Sequence, residues 1–362
     1  MPSAREHLER LAAAPRPAGS RTEADARAWC EAALGAQGFT VSAKPFEYSA
    51  VPGRLATPVL GVAGVLLLCA AGHLGWHDKP VPAAAILLVG GACIAVLARW
   101  LARRGAQRLP WLRATAVNLV ATRGPEWPHF WLVAHIDSKS QPVPILARAS
   151  GIALLLAVWT VSVVVALAQS TGIIESVAHY AWPWLAVTAL VAGAPVAASL
   201  VGAYSPGALD NASGVATVLR VAELAHRDAK FGVLITSAEE LGLVGARAWV
   251  DGAARAAAVN VDGVDDDGPV RLMYAGRRPT HAGILARLTR AMPEARTGRI
   301  LPGVLVDGVA FAVAGWSAAT VSKGTWRTLA RIHTSRDDLG ALSGTGVESV
   351  ARALATVVEA SD

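Results

Sequence analysis

The sequence predicts an α/β fold in which a mixed, mostly parallel sheet is sandwiched by helices and interrupted by two transmembrane helical hairpins. Short apolar strand-like runs alternate with helix-like segments, which is typical of a sheet covered on both faces. Hydrophobic residues make up 53% of the chain and charged residues only 17%, whereas a soluble domain carries about 25% charged residues. Part of the chain is therefore expected in lipid.

The alternation of helices and strands runs through three separate parts of the chain. Predicted helices lie at Ala24–Gln37, Gly214–His226 and Leu241–Ala254, and predicted strands at Phe39–Tyr48, Ala116–Thr122, Phe130–His135, Phe231–Thr236 and Ala257–Val261. Together, residues 1–54, 105–143 and 204–362 have a normal size for one α/β domain. We therefore predict a single discontinuous domain made of these three parts.

Four apolar runs contain no Asp, Glu, Lys or Arg: Leu55–His77, Pro80–Ala98, Ala149–Ile174 and Ser176–Leu209. A membrane span needs about 20 predominantly apolar residues, so each run is long enough or nearly so. Buried core helices are the alternative, but four such runs in one small chain favour a membrane. The runs pair into predicted hairpins at residues 55–104 and 144–203.

The distribution of positive charge predicts the orientation of these hairpins. Arg99, Arg103 and Arg104 follow the second run directly, whereas the link between the first two runs carries only Lys79 beside Asp78. Positive residues flank spans mainly on the cytoplasmic side. We expect an integral protein of a bacterial inner membrane with four spans, with the two links inside the hairpins facing outward and the rest of the chain in the cytoplasm.

Net charge and cysteine content exclude other classes of protein. The formal net charge is +6, but Lys and Arg form no long block and alternate with no aromatic stripe, so no nucleic-acid partner is expected. Cys30, Cys69 and Cys93 are scattered and not spaced for metal binding, and two of them lie in apolar runs. A disulfide framework is therefore not predicted.

Polar residues gather at the ends of the predicted strands and in the loops that follow: His135, Asp137, Asp210, Glu239, Glu240, Asp262 and His333. Each residue alone has a plain structural explanation, such as a helix cap for Asp210 or a solvated helix start for Glu239 and Glu240. Strand ends converge in open α/β sheets, however. Two histidines and three carboxylates there would suit a pair of divalent metal ions.

These segments, in this order, resemble the zinc aminopeptidase family usually called M28, within the co-catalytic di-zinc exopeptidases. The resemblance includes Arg16-Pro-Ala-Gly-Ser and Gly38-Phe-Thr-Val near the amino terminus and implies a zinc exopeptidase-like fold. It implies these roles: His135 and Asp262 as ligands of the first metal, Asp210 as the bridging ligand, Glu240 and His333 as ligands of the second, Asp137 orienting His135, and Glu239 as general base. In the family the peptide bond after the bridging Asp is often cis.

The resemblance also implies an activity. A di-zinc metallopeptidase of the aminopeptidase type would hydrolyse amino-terminal residues from peptides near the membrane, using a metal-activated water. Two Zn²⁺ ions are expected, although Co²⁺ or Mn²⁺ would suit the same ligands. The expected partners are a peptide substrate and the lipid bilayer; the sequence predicts no oligomeric state. Gly308 departs from the family, which often has His at this position.

Three other functions remain open from the sequence. A non-catalytic membrane receptor or scaffold could retain the peptidase fold, but all five ligands and the base are present. A single-zinc acyltransferase resembling the glutaminyl cyclases is a second alternative, and the intact Glu239–Glu240 pair argues mildly against it. A transporter is the third, although the four runs contain almost none of the ionisable groups that mark a transport pathway.

Overall fold

The computed structural model describes residues 2–124, 126–276, 283–301 and 303–360. The chain divides into two compact units. The first unit comprises Met1–Tyr48, Arg113–Ser140 and Ala203–Asp362, and the second comprises Ser49–Leu112 and Gln141–Gly202.

An eight-stranded sheet forms the centre of the first unit. Its strands are β1 (Thr40–Ser49), β2 (Arg113–Thr122), β3 (Phe130–His135), β4 (Gly232–Thr236), β5 (Ala257–Val264), β6 (Val270–Tyr274), β7 (Arg296–Arg299) and β8 (Ser317–Lys323), in the spatial order β1-β2-β4-β3-β5-β8-β6-β7. The pairs β3–β4, β3–β5, β5–β8 and β6–β7 are parallel, whereas β2–β4 and β6–β8 are antiparallel. The predicted mixed, mostly parallel sheet is confirmed.

The α-helices of the described residues are α1 (Ala4–Leu11), α2 (Arg21–Ala36), α3 (Val51–Trp76), α4 (Pro80–Trp100), α5 (Ala106–Arg108), α6 (Ile145–Ser170), α7 (Glu175–Ala197), α8 (Ser213–Leu224), α9 (Val244–Val250), α10 (Ile284–Ala291), α11 (Asp307–Val313), α12 (Trp326–Arg331) and α13 (Thr345–Glu359). Helices of the first unit cover both faces of the sheet. Successive strand residues point to opposite faces, so Leu132 packs in one apolar core and Val133 in the other. Strand β3 is therefore buried throughout, which explains its continuously apolar sequence.

The second unit consists mainly of the long helices α3, α4, α6 and α7. All four contain a stretch long and apolar enough to cross a membrane, judged by length and composition. Their own core includes Trp182, whose indole Nε1 donates to Oε1 of Gln169 at 2.8 Å. Large apolar side chains elsewhere on the helices are exposed: Leu66, Val96, Leu156 and Trp184.

The fourth predicted span is too long at its carboxyl end. Helix α7 ends at Ala197, well before the end of the predicted apolar run at Leu209. The hydroxyl of Ser199 donates to the carbonyl oxygen of Pro195 at 2.9 Å, which satisfies one of the last carbonyls of the helix. The following residues are apolar in composition but lead into the loop before Asp210, so hydropathy alone could not separate them from the span.

Candidate metal centre

The predicted site residues meet at the carboxyl ends of the central parallel strands. His135 is the last residue of β3, Asp262 lies in β5, and Glu239 follows β4. Because β3 pairs in parallel with both β4 and β5, the carboxyl ends of these strands lie at one edge of the sheet. Asp210 precedes α8 and His333 follows α12, so loops bring these two residues to the same edge.

The five predicted ligands form two groups that share one residue. In the first group, His135, Asp210 and Asp262 each offer one ligand atom, and these atoms lie within 4.8 Å of one another. The same limit holds in the second group for Asp210, Glu240 and His333. The Nε2 atom of His135 lies 3.1 Å from Oδ1 of Asp210, and the Nε2 atom of His333 lies 3.0 Å from Oδ2. One carboxylate thus faces both imidazole rings.

A contact at Nδ1 holds the orientation of the His135 ring. Its Nδ1 atom donates to the backbone oxygen of Asp137 at 3.0 Å, whereas the nearer carboxylate oxygen of Asp137 lies 3.7 Å away. The Asp137 carboxylate accepts hydrogen bonds from the backbone N–H groups of Glu239 and Glu240 at 3.1 and 3.2 Å. The resemblance predicts that Asp137 orients His135; here its backbone makes the shorter contact, and its side chain holds the Glu239–Glu240 loop.

Asp337 supports the loop that carries Asp210, and the sequence prediction missed it. Its fully buried carboxylate accepts hydrogen bonds from the backbone N–H groups of Leu209 and Asp210 at 2.6 and 3.2 Å. The peptide bond between Asp210 and Asn211 is cis, as the resemblance predicts. No sequence pattern distinguishes Asp337 from its neighbour Asp338, so only the fold reveals this contact.

Arg16 connects this loop with the end of β3. Its buried guanidinium donates to the backbone oxygens of Ile136, Pro206 and Gly207 at 2.8, 2.6 and 3.0 Å. Burial lowers the pKa of Arg16 to about 10, so the side chain remains a cation at neutral pH. Arg16 begins one of the motifs on which the resemblance rests. The structure explains an arginine at this position by its hydrogen bonds to three backbone oxygens.

The electrostatics of the site depend on crowded, buried carboxylates. Burial, together with the neighbouring Glu240 and Asp262 carboxylates, raises the pKa of Glu239 well above its usual range, although His135 opposes this effect. Burial would also raise the pKa of Asp210, but hydrogen bonds and charges from His135 and His333 hold it well below its usual range. Asp210 is therefore a carboxylate at neutral pH, whereas Glu239 has the raised proton affinity that a general base needs.

Lys139 is a second site residue that the sequence prediction did not include. Its Nζ atom lies 2.7 Å from Oε2 of Glu240, and its side chain is only 18% exposed. Burial would lower the pKa of Lys139, but the Glu240, Glu239 and Asp210 carboxylates outweigh burial and raise it. Lys139 is therefore an ammonium ion in direct contact with a predicted metal ligand. In the sequence, only its position two residues after Asp137 indicates that Lys139 lies near the site.

The structure accounts for the glycine at position 308. A Cβ atom there would lie 2.3 Å from Oγ1 of Thr320, so a larger residue fits only if the Thr320 side chain moves. The preceding Asp307 is fully buried, and its carboxylate accepts a hydrogen bond from the Thr236 hydroxyl. Burial raises the pKa of Asp307 to about 7.

The donor atoms fit divalent zinc. Imidazole nitrogens and carboxylate oxygens are common zinc ligands, and both groups offer one imidazole and two carboxylates. Oε1 of Glu240 is buried and accepts no well-formed hydrogen bond, although Nε2 of His333 lies 3.2 Å away. A buried carboxylate oxygen without a hydrogen bond is costly unless a cation compensates it. The second group therefore has an oxygen suited to a metal ion.

Comparison with known proteins supports the predicted resemblance. Residues 189–358 match the family model described as Peptidase family M28. This part of the chain is similar to Peptidase family M28. The M28 match contains Asp210, Glu239, Glu240, Asp262 and His333, whereas His135 and Asp137 precede it.

Three solved structures share the fold of this chain. The aminopeptidase from Aneurinibacillus sp. strain AM-1 has 16% identity and a TM-score of 0.53, covering 98% of this chain and 92% of its own. The zinc aminopeptidase BSAP from Bacillus subtilis has 15% identity and a TM-score of 0.56, covering 98% and 93%. The Tannerella forsythia glutaminyl cyclase has 13% identity and a TM-score of 0.56, covering 99% and 97%. A comparison with the sequences of curated proteins gives no significant match. The family match supports a peptidase function, and the solved structures support the fold.

Proposed function

We propose that this protein is a membrane-anchored di-zinc aminopeptidase. The observation that carries the proposal is the sharing of Asp210 between two groups of ligand atoms, with Glu239 beside the first group. The Oε2 atom of Glu239 lies 3.9 Å from Nε2 of His135 and has no assigned role as a ligand. A carboxylate next to, but outside, a metal-binding set is suited to proton transfer.

In this proposal each group holds one zinc ion. His135 and Asp262 would hold the first ion, Glu240 and His333 would hold the second, and Asp210 would be a ligand of both. When bound, the ions lower the pKa of a water molecule, polarise the scissile carbonyl group and neutralise the developing negative charge. Co²⁺ or Mn²⁺ would suit the same donors.

Glu239 moves the proton during hydrolysis. Its carboxylate takes a proton from the attacking water as the new carbon–oxygen bond forms, and it then gives that proton to the leaving amine as the carbon–nitrogen bond breaks. Burial and neighbouring carboxylates raise the pKa of Glu239, so it accepts the proton more readily than an exposed glutamate would. The Asp137 carboxylate fixes the backbone N–H groups of Glu239 and Glu240 and thereby positions the base.

The membrane anchor is supported by the second unit. Its four apolar helices expose side chains such as Leu66, 64% exposed, and Trp184, 73% exposed, which a bilayer would cover. The second hairpin lies in the chain between Asp137 and Asp210. We therefore propose peptides at the membrane as substrates, with the peptidase domain on the cytoplasmic side. Release of the protein from membranes by alkaline carbonate, without detergent, would contradict the anchor.

The test is hydrolysis of matched peptides with free or acetylated amino termini by detergent-purified protein. We expect cleavage of the free peptides, and a loss of about 10²–10⁴-fold for Glu239→Gln, the range for a lost general base, with unchanged metal content. Equal cleavage of acetylated peptides would contradict an aminopeptidase. Because a glutaminyl cyclase is among the structural neighbours, the panel includes a peptide beginning with Gln. Its cyclisation without hydrolysis of the others would favour that second function.

A further inference from the structure

Lys139 gives the two groups of ligands different electrostatic surroundings. Its ammonium group contacts Oε2 of Glu240 at 2.7 Å and the backbone oxygen of the same residue at 3.4 Å. Within the described residues, neither Asp210 nor Asp262 pairs with a lysine or arginine. A fixed positive charge therefore contacts the second group directly. Among the described residues, the first group has only histidines within contact distance as basic partners, and Lys139 acts on it only at longer range, through the shared Asp210.

The two carboxylate oxygens of Glu240 have different contacts. Oε2 is engaged by the ammonium group, whereas Oε1 is buried, lies 3.2 Å from His333 and accepts no well-formed hydrogen bond. Glu240 can thus offer one oxygen to a metal ion, and its charge is already balanced by Lys139. Within the described part of the chain, no lysine or arginine balances the charge of Asp262 in the first group.

These two observations predict unequal metal binding. A nearby cation repels a divalent ion, and it also lowers the net negative charge of the ligands that attract the ion. The repulsion is only partly screened in a buried site, where the effective dielectric constant is about 20 rather than 80. At that value, one additional positive charge near the ligands changes metal affinity by at least about tenfold.

We propose that Lys139 lowers the affinity of the second group for its metal ion below that of the first group, so that the two ions bind in separate steps. Lys139 is a positioning residue in this account, because it acts on the metal ion through Glu240. The proposal rests on the proposed di-zinc function and deepens it by assigning different strengths to the two metal positions.

The test is a calorimetric titration of chelator-treated, detergent-purified protein with Zn²⁺. For the wild type we expect two binding steps of different affinity. Lys139→Met keeps a long, unbranched side chain but removes its charge. In this variant the affinity of the second step should increase by about tenfold or more, while that of the first changes much less. Lys139→Arg should retain two well-separated steps. Lys230→Met is the matched control, because Lys230 is exposed and pairs with Glu126.

The outcomes separate this proposal from the proposed function. If the wild type binds two ions and Lys139→Met leaves the second step unchanged or weakens it, the role of Lys139 is wrong and the di-zinc function stands. If the wild type binds fewer than two ions, both fail. Lys139→Gln is a second neutral variant for the case in which Lys139→Met does not fold. The same tightening is expected for it, and its absence would overturn the proposal.

Discussion

The two groups of the candidate metal centre are built from different parts of the fold. In the first group, His135 and Asp262 lie within strands β3 and β5 of the central sheet. In the second group, Glu240 lies in the loop after β4, and His333 has a left-handed backbone conformation with φ of 63° in the loop after α12. Asp210 is common to both groups.

This difference indicates a division between a rigid and an adjustable half of one centre. His135 lies opposite Thr236 in the β3–β4 pair, and Asp262 lies between the β5–β8 pairs Val261–Val321 and Val264–Lys323. The loop residues depend instead on individual hydrogen bonds with Asp137, Asp337 and Lys139. The adjustable half also carries the only ammonium contact described above. We therefore expect the first group to dominate metal affinity and the second to respond more to changes in its supports.

Replacement of Asp210 should have the largest effect, because this residue belongs to both groups and each group would lose a ligand. Asp210→Asn removes the charge that faces both imidazole rings. We expect loss of both ions and a decrease in hydrolysis of at least about a thousandfold, since a lost buried charge contact costs several kcal/mol. Metal analysis and peptide hydrolysis measure these effects. Asp228→Asn is the control, because Asp228 is 90% exposed; an Asp210→Asn protein with both ions would contradict the shared ligand.

Replacement of one ligand in each group should separate the two halves. We expect both Asp262→Asn and Glu240→Gln to reduce hydrolysis by about a hundredfold or more, because each removes a ligand from a catalytic ion. Their metal content should differ after dialysis against a chelator of intermediate strength. Glu240→Gln should keep the ion of the first group, whereas Asp262→Asn should keep almost none. The reverse order would show that the loop-borne group binds more tightly.

Weakening of the loop around the shared residue should have a smaller effect on both groups. In Asp337→Asn, the amide can replace only one of the two acceptor oxygens that bind Leu209 and Asp210. A buried N–H group without its partner costs about 1–3 kcal/mol, so the melting temperature should fall while the fold persists. The exposed neighbour Asp338 supplies the control, Asp338→Asn. Equal melting temperatures for both variants would show that Asp337 does not stabilise the loop that carries Asp210.

The smallest effect concerns the loop of the second group and depends on pH. Glu23 accepts a hydrogen bond from Ser237, just before Glu239 and Glu240, and burial raises the pKa of Glu23 to about 7. The folded protein therefore binds a proton more tightly here than the unfolded chain, so this group's contribution to stability falls as pH rises from about 4.5 to about 7.

Removal of the charge should cancel this dependence. We expect Glu23→Gln to gain about 1–2 kcal/mol relative to the wild type at pH 8 compared with pH 5, measured by thermal unfolding in detergent. Glu31→Gln, at an exposed position on the same helix, is the control and should show no such gain. A gain that is the same at both pH values would mean that charge burial at Glu23 is not its cause.

How well each strand could be predicted from the sequence depended on its hydrophobic pattern. Strands β3 and β4 are apolar except at their last residues, His135 and Thr236, and were predicted almost to their observed ends. Strand β7 has the sequence Arg296-Thr-Gly-Arg and is exposed throughout, so it has no apolar pattern and only pairing with β6 makes it a strand. Sequence patterns thus identified β1 to β5 but missed β6 and β8, although β8 is largely buried, and they missed β7, which is stabilised mainly by its neighbour.

The candidate site divides in the same way. The seven predicted site residues could be named from the sequence because they lie in short motifs that resemble one family, and the structure brings their side chains to one edge of the sheet. Asp337 and Lys139 act through contacts with residues far away in the chain. No local pattern marks such contacts, so the supports of the site required the folded structure.

The most direct test of the central claim is the number of metal ions bound to each chain of detergent-purified wild-type protein at saturation. We predict about two divalent ions per chain, with peptide hydrolysis lost when both are removed by a chelator and recovered when Zn²⁺ is returned. A protein that binds one ion or none when Zn²⁺ is in excess would contradict the shared role of Asp210.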